Sequence, residues 1–68
     1  MNDILYVTRF IRADGKPMEE YPFRTEREAT DYMQSFRDDD SGLYTRIEVI
    51  RWDFRSETEE CIARIRFG

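Results

Sequence analysis

Sixty-eight residues make one small domain, 1–68, and a chain of this length buries only ~60% of the surface its unfolded form exposes, so its core is thin. One cysteine, Cys61, and no histidine exclude an intrachain disulfide and a zinc site of the usual Cys and His kind within one chain. The formal charge of −4 argues against general binding to nucleic acid or to an anionic membrane, although ten of the eleven basic residues are arginine, which suits planar, paired recognition.

The first element is a strand, Ile4–Arg12, rich in β-branched and aromatic residues. Both of its faces are apolar: Ile4, Tyr6, Thr8 and Phe10 on one, Leu5, Val7 and Ile11 on the other, interrupted by Arg9. That pattern suits a strand inside the sheet. Ala13-Asp14-Gly15-Lys16 reads as a two-residue hairpin turn of type I′, which sets Ile11 opposite Met18, Arg9 opposite Glu20, Thr8 opposite Tyr21 and Tyr6 opposite Phe23. Pro17 and Pro22 cannot donate to a ladder, so the second strand, Met18–Phe23, belongs at an edge.

Thr25 to Arg37 is the one helical stretch. Thr25-Glu26-Arg27-Glu28 has the form of a capping box, and Ala29, Tyr32, Met33 and Phe36 make a single apolar stripe. Asp38-Asp39-Asp40 opposes the helix dipole, and Gly42 is suited to closing the helix end in the left-handed conformation. A calcium loop starting at Asp38 fails on spacing, since the glycine comes too early and Val49 stands where the glutamate is needed.

Two further strands, 44–54 and 58–67, are joined by Arg55-Ser56-Glu57. An odd loop sets Arg51 by Cys61, Val49 by Ala63 and Ile47 by Ile65 on one face, with Trp52 by Glu60, Ile50 by Ile62 and Glu48 by Arg64 on the other. The expected fold is therefore α+β: a single domain of order β-β-α-β-β, with a four-stranded, mainly antiparallel sheet and one helix, about 25–37, on one face. Ile47, Val49, Ala63, Ile65 and Cys61, with Leu5, Val7 and Ile11, are the residues assigned beneath the helix.

The opposite face is then expected to be apolar and aromatic, and an exposed patch of that kind marks an interaction surface. Its candidate interface residues are Tyr6, Phe10, Tyr21, Ile50, Trp52, Ile62 and Arg64, together with Phe23. Should the first hairpin be turned over, Leu5, Val7 and Ile11 replace Tyr6 and Phe10 there, and the face stays apolar. Partners that fit are a second copy of the chain, forming a dimer, or another protein. The alternative is single-stranded nucleic acid stacked on the sheet aromatics, with Arg46, Arg64 and Arg66 near its backbone.

Catalysis is not expected. Histidine is missing, no glycine-rich phosphate loop is present, and Cys61 sits in a strand pattern beside acidic residues as a buried, inert thiol. No cofactor is implied. Neither a signal-peptide pattern nor a run of ~18 apolar residues occurs, so a reducing cytoplasm is the expected compartment and no membrane span is expected. The hairpin followed by FRTEREATDYM resembles the start of the arm-type DNA-binding domains of phage and transposon integrases over the first half of the chain. Those domains usually carry a basic sheet and three strands before the helix, and this chain carries neither, so no function is carried over.

Overall fold

Arg9 decides which side of the first strand is buried. Leu5, Val7, Arg9 and Ile11 share one side of an extended strand, and Tyr6, Thr8 and Phe10 share the other. Placing the first set beneath the helix would trap a guanidinium away from water. In the computed structural model, which describes residues 3–67, the second set faces the helix, with Phe10 only 1% exposed. The hydroxyl of Thr8 donates to the carbonyl of Ala29 at 2.9 Å and fixes the two layers together. The assignment of Leu5, Val7 and Ile11 beneath the helix is thus corrected, and so is that of Tyr6 and Phe10 to the other face.

The elements run β1 (Ile4–Arg12), β2 (Glu19–Phe23), α1 (Glu26–Gln34), β3 (Tyr44–Asp53) and β4 (Thr58–Arg66). They form one sheet of order β2-β1-β3-β4 in which every neighbouring pair is antiparallel. β1, apolar on both faces, is interior, and β2, with Pro22 opposite Val7, is an edge. Because β2 and β3 both run against β1, they are parallel to each other with β1 between them, and α1 is the crossover that joins them.

The β1–β2 register is the one the sequence implies, with Tyr6 opposite Phe23, Thr8 opposite Tyr21 and Arg9 opposite Glu20. The turn differs. A type I′ turn needs positive φ at both central residues, and here only Gly15 has it, at 79°. Asp14 instead accepts from the amide of Lys16 and from the guanidinium of Arg12, so its side chain holds the corner in place of a tight backbone turn.

Thr25 caps α1 as expected, accepting from the amide of Glu28 at 3.2 Å, while its own hydroxyl donates to the Glu28 carboxylate at 2.9 Å. Thr25→Ala removes one acceptor from the first turn and is expected to destabilise the domain by about 1 kcal/mol, read as a lower urea midpoint with an unchanged slope. The helix is shorter than the stretch 25–37. Ser35 ends it by donating its hydroxyl back to Tyr32, and Phe36 and Arg37 continue as tighter turns. Gly42 does adopt a positive φ, 76°, but in the loop entering β3 and not at the helix end.

The stripe of α1 buries Ala29 and Met33 completely, flanked by Tyr32 and Phe36, against Phe10, Ile47 and Val49. Phe10 is the hub: its ring meets Tyr21, Tyr32, Phe36 and Tyr44, with centroids 4.9–5.7 Å apart. The helix packs chiefly across β1, β2 and β3. Ile62, Ala63 and Ile65 of β4 therefore remain only partly buried at its flank.

The β3–β4 hairpin combines two registers. Ile47, Glu48 and Val49 pair with Ile65, Arg64 and Ala63 as an odd loop requires, yet Ile50, Arg51 and Trp52 pair with Cys61, Glu60 and Glu59. The turn is the four residues 54–57, closed with Glu57 at φ 55°, and a bulge at Ile62 absorbs the one-residue difference. The expected pairs Ile50–Ile62, Trp52–Glu60 and Arg51–Cys61 are corrected accordingly. The bulge turns Ile62 toward the helix side and brings Cys61 opposite Ile50 on the uncovered face.

Candidate functional site

Strand alternation and register give the uncovered face its residues: Leu5, Val7, Arg9 and Ile11 from β1, Glu20 and Pro22 from β2, Arg46, Glu48, Ile50 and Trp52 from β3, and Glu59, Cys61, Arg64 and Arg66 from β4. Of the candidate interface residues, Ile50, Trp52 and Arg64 lie here together. Tyr6, Phe10, Tyr21, Phe23 and Ile62 pack on the helix side, Tyr21 against Phe10 and Tyr32. The aromatic character expected of this face thus shrinks to Trp52, which stacks on Phe54 from the neighbouring turn at 5.7 Å. Phe54 is 52% exposed. What replaces the aromatics is the aliphatic set of β1, with Leu5 opposite Trp52 and Val7 opposite Ile50.

Val7 and Ile50 are nevertheless buried, although no second layer covers them. Long side chains close over the middle of the face. Arg9, with its side chain 15% exposed, donates to Glu20 at 2.8 Å and lies 3.6 Å from Glu59, so it spans from the β2 edge toward β4. Burial disfavours its charge, but the two carboxylates outweigh that and hold its pKa above the ordinary arginine value.

Farther along, Glu48 is the buried carboxylate of the face, 7% exposed. Its Oε2 accepts from Nε of Arg64 at 3.0 Å, the opposite-charge pair implied by the sequence, and from Nε of Arg46 at 3.3 Å. Thr45, Arg46, Glu48, Arg64, Arg66 and Phe67 line an open cleft of about 470 Å³ at this end. Cys61 is exposed, a correction to the buried thiol expected of it, because the Ile62 bulge swings it outward. Its Sγ lies 3.7 Å from Nη2 of Arg64.

A second charged corner lies on the helix side. Arg12 bridges Asp14 and Glu19 and stacks over Tyr44, and these carboxylates raise its pKa. Arg12 in turn holds the Asp14 carboxyl below its usual range, while the hydrogen bond to Glu19 raises the Tyr21 phenol and burial raises that of Tyr44. Each of these groups has its partner, so the corner reads as a hairpin clamp.

Among the described residues no group of three or more Cys, Asp or Glu side chains is arranged to hold a metal, the acidic run Asp38-Asp39-Asp40 included. No helix among the described residues is long and apolar enough to cross a membrane. No known family, characterised protein or solved structure matches the chain.

Proposed function

We propose that this chain is a small, non-catalytic protein-interaction module that pairs with a second copy of itself through the uncovered face of the sheet. The observation that supports the reading is one helix on a two-faced sheet: Leu5, Ile11 and Trp52 stay half-buried on a side with no second layer among the described residues, above the buried Val7 and Ile50, and the exposed Phe54 extends their strip. The strip is flanked by groups of both signs, Arg9 with Glu20 and Glu59, and Glu48 with Arg46 and Arg64. A twofold-related copy can therefore lay strip on strip and set Arg9 near a carboxylate of the other chain.

Face pairing is favoured over edge pairing. The β2 edge is short and carries Pro22, while β4 carries the bulge at Ile62 and a charged outer row, both devices that discourage strand addition. The single-stranded nucleic-acid alternative loses support, because Tyr6, Phe10, Tyr21 and Phe23 pack against the helix and core.

The test is the oligomeric state in the micromolar range with Trp52→Arg as the variant. Wild type is expected to dimerise and the variant to remain monomeric with its fold intact, because Trp52 lies outside the helix-side core. A wild-type monomer throughout that range overturns the reading. The reducing cytoplasm is the compartment this reading assumes for the exposed Cys61 thiol.

A further inference from the structure

Arg46 and Arg66 are direct cross-strand partners, a like-charge pair that destabilises a hairpin on its own, and Arg64 stands on the same face one position nearer the bulge. One carboxylate, Glu48, serves this group. It engages Arg46 and Arg64 through their Nε atoms, and Arg66 has no side-chain partner among the described residues. The Nη groups of Arg46 make no bond within the described residues either, and Nη2 of Arg64 meets only the weak acceptor Cys61 Sγ. Three guanidiniums against one carboxylate leave two positive charges in an open cleft, on a chain whose net charge is −4.

We infer that this cleft binds a phosphate dianion, free or as a monoester. Glu48, buried and fixed, orients two guanidinium forks by one edge and leaves their outer donors directed elsewhere, an arrangement suited to a tetrahedral oxyanion with several acceptor oxygens. A dianion cancels the local excess of two charges, whereas a single carboxylate or a phosphodiester cancels half of it. The ligand also relieves the repulsion between Arg46 and Arg66, so binding and hairpin stability are linked. Such a group can come from free phosphate or from a small phosphorylated metabolite, and the cleft is roomy enough for either.

The experiment follows the side-chain Nε–H resonances of the arginines in the intact protein during titration with inorganic phosphate, then with phenyl phosphate, at constant ionic strength. Acetate and a short oligothymidylate serve as comparison anions. Saturable shifts confined to Arg46, Arg64 and Arg66 are expected, with affinity lowered about tenfold or more in Arg66→Gln, the loss of one charge-assisted hydrogen bond. Arg27→Gln, on the exposed face of the helix, is expected to leave the affinity unchanged. Tighter binding of phenyl phosphate than of inorganic phosphate assigns the site to phosphorylated small molecules, and equal binding assigns it to the phosphate group alone. Arg66→Gln removes a like-charge pair, so its fold is expected to hold, and the wild-type titration decides the question independently of it. Shifts that fail to saturate, that appear equally at Arg27, that acetate reproduces, or that oligothymidylate produces at lower concentration overturn the inference.

Discussion

Phe10→Ala is expected to leave the domain largely unfolded at room temperature. Phe10 is 1% exposed, and its ring touches four other aromatic rings drawn from β2, α1, the turn after α1 and the start of β3. Removing a buried phenylalanine costs about 3–5 kcal/mol through lost burial and the cavity left behind. A domain of this length holds roughly 3–10 kcal/mol in total, so one substitution consumes most of it. Phe54→Ala is the matched control. Phe54 is half exposed in the β3–β4 turn and lies outside the helix-side core, so its loss is expected to change the urea midpoint little. Equal effects of the two substitutions would contradict the placement of Phe10 beneath the helix.

The second large effect is expected from Met33→Ala, at about 2–5 kcal/mol. Met33 is 2% exposed and, with Ala29, forms the part of α1 that touches Phe10, Ile47 and Val49. A helix of nine residues is too short to persist alone, so its stability comes from this contact. Loss of Met33 is therefore expected to destabilise helix and sheet together. Amide exchange is the suitable measurement: protection should fall in parallel at α1 and at the central strands β1 and β3. Loss confined to α1, with β1 and β3 still protected to the wild-type level, would mean that the helix is not part of the one cooperative core.

Much of the fold was legible because several local signals agreed. Thr25 and Glu28 mark the helix start, Ala29 and Met33 its buried stripe, Pro22 an edge strand, and the two apolar faces of β1 an interior one. The strand order was not legible, since nothing local states that β1 lies against β3. Once that neighbour is known, Phe10 faces Ile47, Thr8 faces Val49 and Arg9 faces Glu48, and the correct side of β1 follows. Arg9 carried the same information alone: the side with a guanidinium in mid-strand is the poorer choice for burial under a helix.

The bulge was hidden for a different reason. Pairing rules test one register at a time, and the β3–β4 hairpin uses two, joined at Ile62. An odd-loop register that matched well near Glu48 and Arg64, beside a linker long enough for a four-residue turn, was the available signal. Missing it exchanged the faces of Cys61 and Ile62. Two of the seven candidate interface residues, Trp52 and Arg64, stand on the uncovered face with surface to offer, and Ile50 lies there but is buried. Trp52 has the parity of Glu48 and Arg46, charged positions that could not sit beneath a helix, and that parity made its side readable. The cover of Arg9 across the face depends on side-chain reach between β2 and β4, which no strand-by-strand reading supplies.

The proposed role of the uncovered face is to pair with a second copy. Sedimentation equilibrium of wild type and Trp52→Arg, from low micromolar to submillimolar concentration, tests it most directly. Wild type is expected to form a concentration-dependent dimer, accompanied by reduced quenching of the single tryptophan, and the variant to stay a folded monomer. A wild-type chain that sediments as a monomer across the whole range, with Trp52 equally open to quencher throughout, would contradict it.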